Sequence, residues 1–79
     1  MSSPITEFDA VRVVRIDGVP EDHLASSQSL RPPHVGDLGT VVDRRDDEGG
    51  QTRFVVESTA DDSRLIWLAE FRADEIELA

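Results

Sequence analysis

Gly36-Asp37-Leu38-Gly39-Thr40-Val41-Val42-Asp43-Arg44-Arg45, Asp46-Asp47-Glu48-Gly49-Gly50 and Thr52-Arg53-Phe54-Val55-Val56-Glu57 lie almost end to end in the middle of a 79-residue chain. The first segment is rich in β-branched residues and is entered through a Gly-framed turn. The second is an acidic run closed by two glycines. The third alternates, with Phe54 and Val56 on one face and Arg53, Val55 and Glu57 on the other. Strand, tight polar loop, strand is the pattern of a β-hairpin. Period-two alternation assigns Phe54 and Val56 to the core. Gly39, inside the first strand, marks a bend or a close approach of another backbone.

Working outward, Phe8 to Ile16 reads as an earlier strand ending at the Asp17-Gly18 turn. Its phase is open: Val11 and Val13 favour one face, Val14 and Ile16 the other, so the strand is covered on both sides or carries a bulge. Val19 to Val35 is a long connection. Pro20-Glu21-Asp22 suits a helical turn, with Pro at its first position and acids at its positive end, and Pro32-Pro33 imposes an extended exit. So long a loop in so small a domain is expected to be functional or mobile. Downstream, Thr59 to Ser63 makes a turn and Arg64 to Phe71 a fourth strand, apolar on both faces. In the tail, Ile76 and Leu78 alternate with Glu75 and Glu77, which fits a short last strand preceded by one helical turn near Ala73-Asp74. The expectation is an all-β domain over residues 8–79: a five-stranded SH3-like barrel with a long first loop and one helical turn before the last strand, behind a flexible N-terminal segment of residues 1–7.

Composition narrows the function. Seventeen Asp and Glu stand against eight Arg and no Lys, for a net charge of -9. Such a chain is repelled by phosphate backbones, so nucleic acid is not an expected partner. The absence of cysteine excludes a disulfide framework, a Cys-ligated metal and thiol catalysis. The N-terminus has neither a basic nor an apolar signal region, so a cytoplasmic location is expected. The longest apolar run, Leu65 to Ala69, is far too short to span a membrane. A core this small gives limited stability, which keeps a homo-oligomer open.

Arg31-Pro32-Pro33-His34-Val35-Gly36-Asp37-Leu38-Gly39-Thr40-Val41-Val42, preceded by Val11-Arg12-Val13 and followed by a Phe-Val-Val-Glu strand, resembles the SH3-like barrel at the C-terminus of the nitrile hydratase β subunit. It is still more similar to small uncharacterised bacterial proteins that carry this barrel alone, with a Val-Gly-Asp-x-Gly-Thr-Val-Val core. The resemblance runs from Phe8 to Leu78 and implies a barrel with an ancestral role in docking onto a partner. Arg31 and Pro33 match the hydratase segment, but the Tyr and the second Arg of that segment have no counterpart here. In that family the metal belongs to the other subunit, so the resemblance does not imply hydratase activity.

Residues that carry chemistry are few. His23 and His34 are eleven positions apart, and the consecutive Glu21-Asp22-His23 would diverge rather than converge on a metal, so both histidines read as solvated loop residues. Asp46-Asp47-Glu48 and Asp61-Asp62 sit in turns, where water solvates carboxylates and no cleft shifts them. No nucleophile elbow or phosphate loop is present. Trp67 reads as a core residue, and without Tyr a proline-peptide groove is not expected. The expected function is therefore a non-catalytic protein-binding module without metal or cofactor. It would dock an acidic surface onto a basic partner protein, in an immunity, antitoxin-like or accessory role. Asp17, Glu21, Asp22, Arg31, Asp61 and Asp62 are the candidate contact residues. The alternative is a small subunit or relic of a nitrile-hydratase-like metalloenzyme, with Arg31 reaching the partner's active site.

Overall fold

In a computed structural model that describes residues 4–79, the chain forms one five-stranded antiparallel sheet: β1 (Ala10–Val13), β2 (Leu38–Asp46), β3 (Thr52–Thr59), β4 (Leu65–Arg72) and β5 (Ile76–Leu78). The spatial order is β4-β3-β2-β1-β5, so the last strand returns to pair with the first. Helical structure among the described residues is limited to two 3-10 turns, Pro20–His23 in the first connection and Ala73–Glu75 just before β5. The all-β class, the five strands and the turn before the last strand agree with the sequence reading. No helix among the described residues is long and apolar enough to cross a membrane.

One face of the sheet carries the main core cluster. Val11 and Val13, Val41, Phe54 and Val56, then Trp67, Ala69 and Phe71, and finally Ile76 are all buried there, joined by Ile5 from ahead of β1. The open phase of β1 resolves in favour of Val11 and Val13, while Val14 is partly exposed. Residues 1–3 of the expected flexible segment lie outside the described residues. Ile5, ahead of Phe8, is buried in the core, and its carbonyl accepts a hydrogen bond from Arg44 (2.9 Å).

Gly39 allows β2 to lie against β3. A Cβ there would stand 2.6 Å from Val56 Cγ1 and 2.9 Å from the Glu57 carbonyl oxygen, so no side chain fits without displacing backbone. Two residues later the β2–β3 register shifts between Val41 and Asp43, which leaves Val42 as the extra residue.

The long first connection is neither free nor structureless. It runs beside β4: Leu24 bridges Ala69, Ala25 N–H donates to the Leu68 carbonyl (2.7 Å), Ser29 Oγ accepts from Leu68 N–H (3.2 Å), and Leu30 N–H donates to the Ile66 carbonyl (2.7 Å). Sheet edges invite unwanted pairing, and a loop laid over one removes the invitation. It also explains why β4 is apolar on both faces, since Leu24 and Ile66 pack against the core from this side.

Candidate functional site

The first 3-10 turn and the end of β4 border a polar cleft of about 390 Å³, lined among others by Asp17, Asp22, His23, Arg53, Arg72 and Glu75. Glu75 organises it. The second 3-10 turn starts after Arg72, and its third residue reaches back to that start, so Glu75 Oε1 accepts the Arg72 N–H at 2.9 Å. Glu75 Oε2 accepts the Asp17 N–H at 2.9 Å and lies 2.8 Å from His23 Nε2. The carboxylate is only 2% exposed, and these partners replace the water it loses.

His23 is therefore not a solvated loop residue. Its ring lies 5.4 Å from that of Phe71, and its Nδ1 is 3.2 Å from the Val19 carbonyl oxygen. The Val19 carbonyl meets one ring nitrogen, and Glu75 meets the other. A protein oxygen stands within 3.2 Å of each ring nitrogen, so the space a substrate atom would need at either is already filled. The arrangement clasps the first connection to the end of β4. Its two halves are 52 positions apart in sequence, and no local pattern announced them. His34 stays exposed, and its backbone N–H donates to Asp37.

The other candidates divide between two places. Asp17 and Asp22 line the cleft with Glu21 beside them, but Asp17 is largely consumed internally, ion-paired with Arg72 and with Arg15 (2.7 Å). Asp61 and Asp62 sit in the β3–β4 turn. Register places that turn six residues along β3 from the Arg53–Arg72 pair that borders the cleft, roughly 20 Å away at about 3.3 Å per residue. Asp62 holds Arg64 at 2.6 Å, whereas Asp61 makes no ion pair among the described residues. Arg31 does not project outward as a free cation: it contacts Asp37 (2.8 Å) and its own neighbour's carbonyl at Pro32. The acidic candidates thus form two patches rather than one, and Arg31 belongs to neither.

Asp37, in the motif that carried the resemblance, has a structural task. One oxygen, Oδ2, accepts from Arg31 (2.8 Å), from the His34 N–H (2.9 Å) and from the indole N–H of Trp67 (2.9 Å). Burial pushes the carboxyl upward, but these three donors and the guanidinium charge more than offset it and hold Asp37 below its ordinary value. Trp67 is fully buried, which agrees with its reading as core.

Charge pairing is lopsided. Arg12, Arg15, Arg31, Arg44, Arg45, Arg53, Arg64 and Arg72, all the arginines of the chain, are ion-paired with carboxylates. Glu7, Asp9, Glu21, Asp22, Asp47, Glu48, Glu57 and Asp61 have no ion-pair partner among the described residues. Among the described residues no three of His, Asp and Glu stand close enough together to hold a metal ion. Comparison with family models, with curated proteins and with solved structures finds no match.

Proposed function

We propose that the protein is a non-catalytic binding module that docks on a basic protein surface. The observation that carries this reading is the charge pairing: every arginine is occupied by a carboxylate of the same chain, while eight carboxylates are left over. The molecule can thus offer negative charge to a partner and has no uncommitted positive side chain to offer an anion. Complementary charge steers encounter and sets orientation. Asp22, unpaired in the lining of the polar cleft, and Glu21 beside it in sequence are the best placed to receive a Lys or Arg side chain. The oxygen atoms of Val19 and Glu75, which fill the space at both His23 nitrogens, support a binding role over acid–base catalysis. The hydratase-like alternative needs Arg31 to reach outward, and its guanidinium is held by Asp37.

Immobilised protein, incubated with host lysate at 50 mM and at 300 mM NaCl, is expected to retain a basic protein in stoichiometric amount at the lower salt and less at the higher. The double variant Glu21→Lys, Asp22→Lys is expected to lose it. Equal retention by wild type and variant at both salts contradicts the proposal.

A further inference from the structure

Thr6, Glu7, Phe8 and Asp9 form a four-residue turn. The Asp9 N–H donates to the Thr6 carbonyl (3.2 Å), and the Asp9 carboxylate accepts the Thr6 N–H (3.0 Å). Phe8 holds the third position of the turn with φ of 70°. That position belongs to Gly or Asn in turns with positive φ, because the Cβ of other residues crowds the neighbouring carbonyl. The turn is fastened to the sheet by the Phe8 N–H, which donates to the Val41 carbonyl at 2.6 Å. Yet the phenyl side chain takes no part in the core, and Phe8 is 77% exposed. A bulky aromatic therefore stands where backbone conformation disfavours it, and the fold gains no burial in return.

The strands the turn adjoins carry exposed apolar residues, and acids flank Phe8 in sequence. Val42, the extra residue of the β2 bulge next to Val41, is partly exposed, and Leu78, at the end of β5 beside Ala79, which bonds back to Ala10, is half exposed. Glu7 and Asp9 flank Phe8 in sequence, and neither has an ion-pair partner among the described residues.

We infer that Phe8 is the apolar anchor of a docking surface, displayed by the Thr6–Asp9 turn to enter an apolar pocket ringed by Lys and Arg on a partner protein. This rests on the proposed docking function and names the residue that anchors it. Aromatic side chains that fill a partner's pocket supply much of the affinity of an interface, while the charges around them set approach and register. A second copy of this chain is not the occupant. It would bring the same excess of carboxylates, and its arginines are already paired.

Two measurements test this. In thermal denaturation of the isolated protein, Phe8→Gly is expected to leave Tm unchanged or raise it by up to about 4 °C, since glycine adopts the turn without crowding. A clear fall in Tm makes Phe8 a structural residue and overturns the inference. For binding, the photoreactive residue p-benzoyl-phenylalanine is placed at position 8 in one variant and at position 22 in another, and each is irradiated in cells. Position 8 is expected to crosslink a protein segment with apolar residues flanked by Lys or Arg. Affinity of that purified protein for Phe8→Gly is expected to fall by about 30-fold or more relative to wild type. Crosslinking from position 22 alone, or an affinity change below about 3-fold, overturns the anchor and leaves the acidic docking reading standing. Crosslinking from neither position removes both, and a crosslink from position 8 to another copy of this chain overturns the choice of partner.

Discussion

Asp37 shows how one side chain can tie a turn, a loop and the core together. Its Oδ2 serves the indole of the fully buried Trp67, a backbone N–H of the preceding turn and the Arg31 guanidinium. Without an acceptor there, the Trp67 N–H is left buried and unpaired, and the loss is about 1–3 kcal/mol. Asp37→Ala is expected to show that loss in urea denaturation at pH 7. Asp37→Asn keeps an acceptor but not the charge, and should lose about 1 kcal/mol. The pH dependence follows from the direction of the shift. The folded carboxyl titrates below its ordinary value of 3.8, so the native state binds its proton later than the unfolded chain does. The contribution is fully present above the unfolded value and disappears as pH falls through the folded one. The stability gap between wild type and Asp37→Asn should therefore be constant from pH 7 to about 5 and narrow by pH 3; a gap that stays constant to pH 3 refutes this assignment of the charge. Phe8 belongs to the same scale but breaks the rule that Asp37 obeys, since its backbone strain, about 1–2 kcal/mol for a residue with a Cβ, has no counterpart in the core.

At the scale of elements, the first connection and β4 behave as one unit, edge pairing along β4 being completed by the Glu75 clasp. Glu75→Ala withdraws the acceptor from the N–H groups of Asp17 and Arg72 and from His23 together. It should cost about 3 kcal/mol, and hydrogen exchange should quicken at the amides of Asp17, Arg72 and Ala25 while those of β2 and β3 keep their protection. Uniform quickening over the whole sheet would mean that the clasp has no local unit to release. The contrast between strands and clasp also explains what was legible in the sequence. Alternation in Phe54-Val55-Val56, the Gly-rich hairpin loop and the break before Ile76 are local signals, and each gave the right element. The covering of β4 was half legible, in the apolar Ile66 and Leu68 on its second face. Long-range polar partners leave no periodicity, so His23 read as solvated although Glu75 meets it from the far end of the chain. Ile5 was not legible as a core residue either, because it is a single apolar residue outside any alternating run.

For the whole molecule, the pairing of every arginine means that eight of the nine net negative charges reside in carboxylates with no ion-pair partner among the described residues. They are spread over a body of 36 × 23 × 19 Å. At 10 mM salt the screening length is about 30 Å, so these charges repel one another across the full molecule; at 1 M it is about 3 Å and they scarcely interact. Salt also weakens ion pairs, but most of those here are surface pairs worth at most about 1 kcal/mol each. They close over 2.6–3.6 Å for Arg64–Asp62 and Arg12–Glu77, for example, distances at which screening is least complete. Relief of the long-range repulsion therefore wins. Tm is expected to rise between 10 mM and 0.5 M NaCl by about 5 °C, which corresponds to about 1 kcal/mol in a domain of this size. Replacing unpaired acids at the hairpin tip, Asp47→Asn with Glu48→Gln, should raise Tm at 10 mM and flatten its salt dependence. A Tm that falls steadily with salt would show that the ion pairs, and not the excess carboxylates, dominate the electrostatics of the fold. Docking on a basic partner should respond in the opposite sense, because the charges that repel within the molecule attract across the interface: over the same salt range the association rate should drop by at least about 10-fold, with the dissociation rate changing much less. One titrant thus strengthens the fold while it weakens the complex, and that divergence separates a loss of binding from a loss of structure.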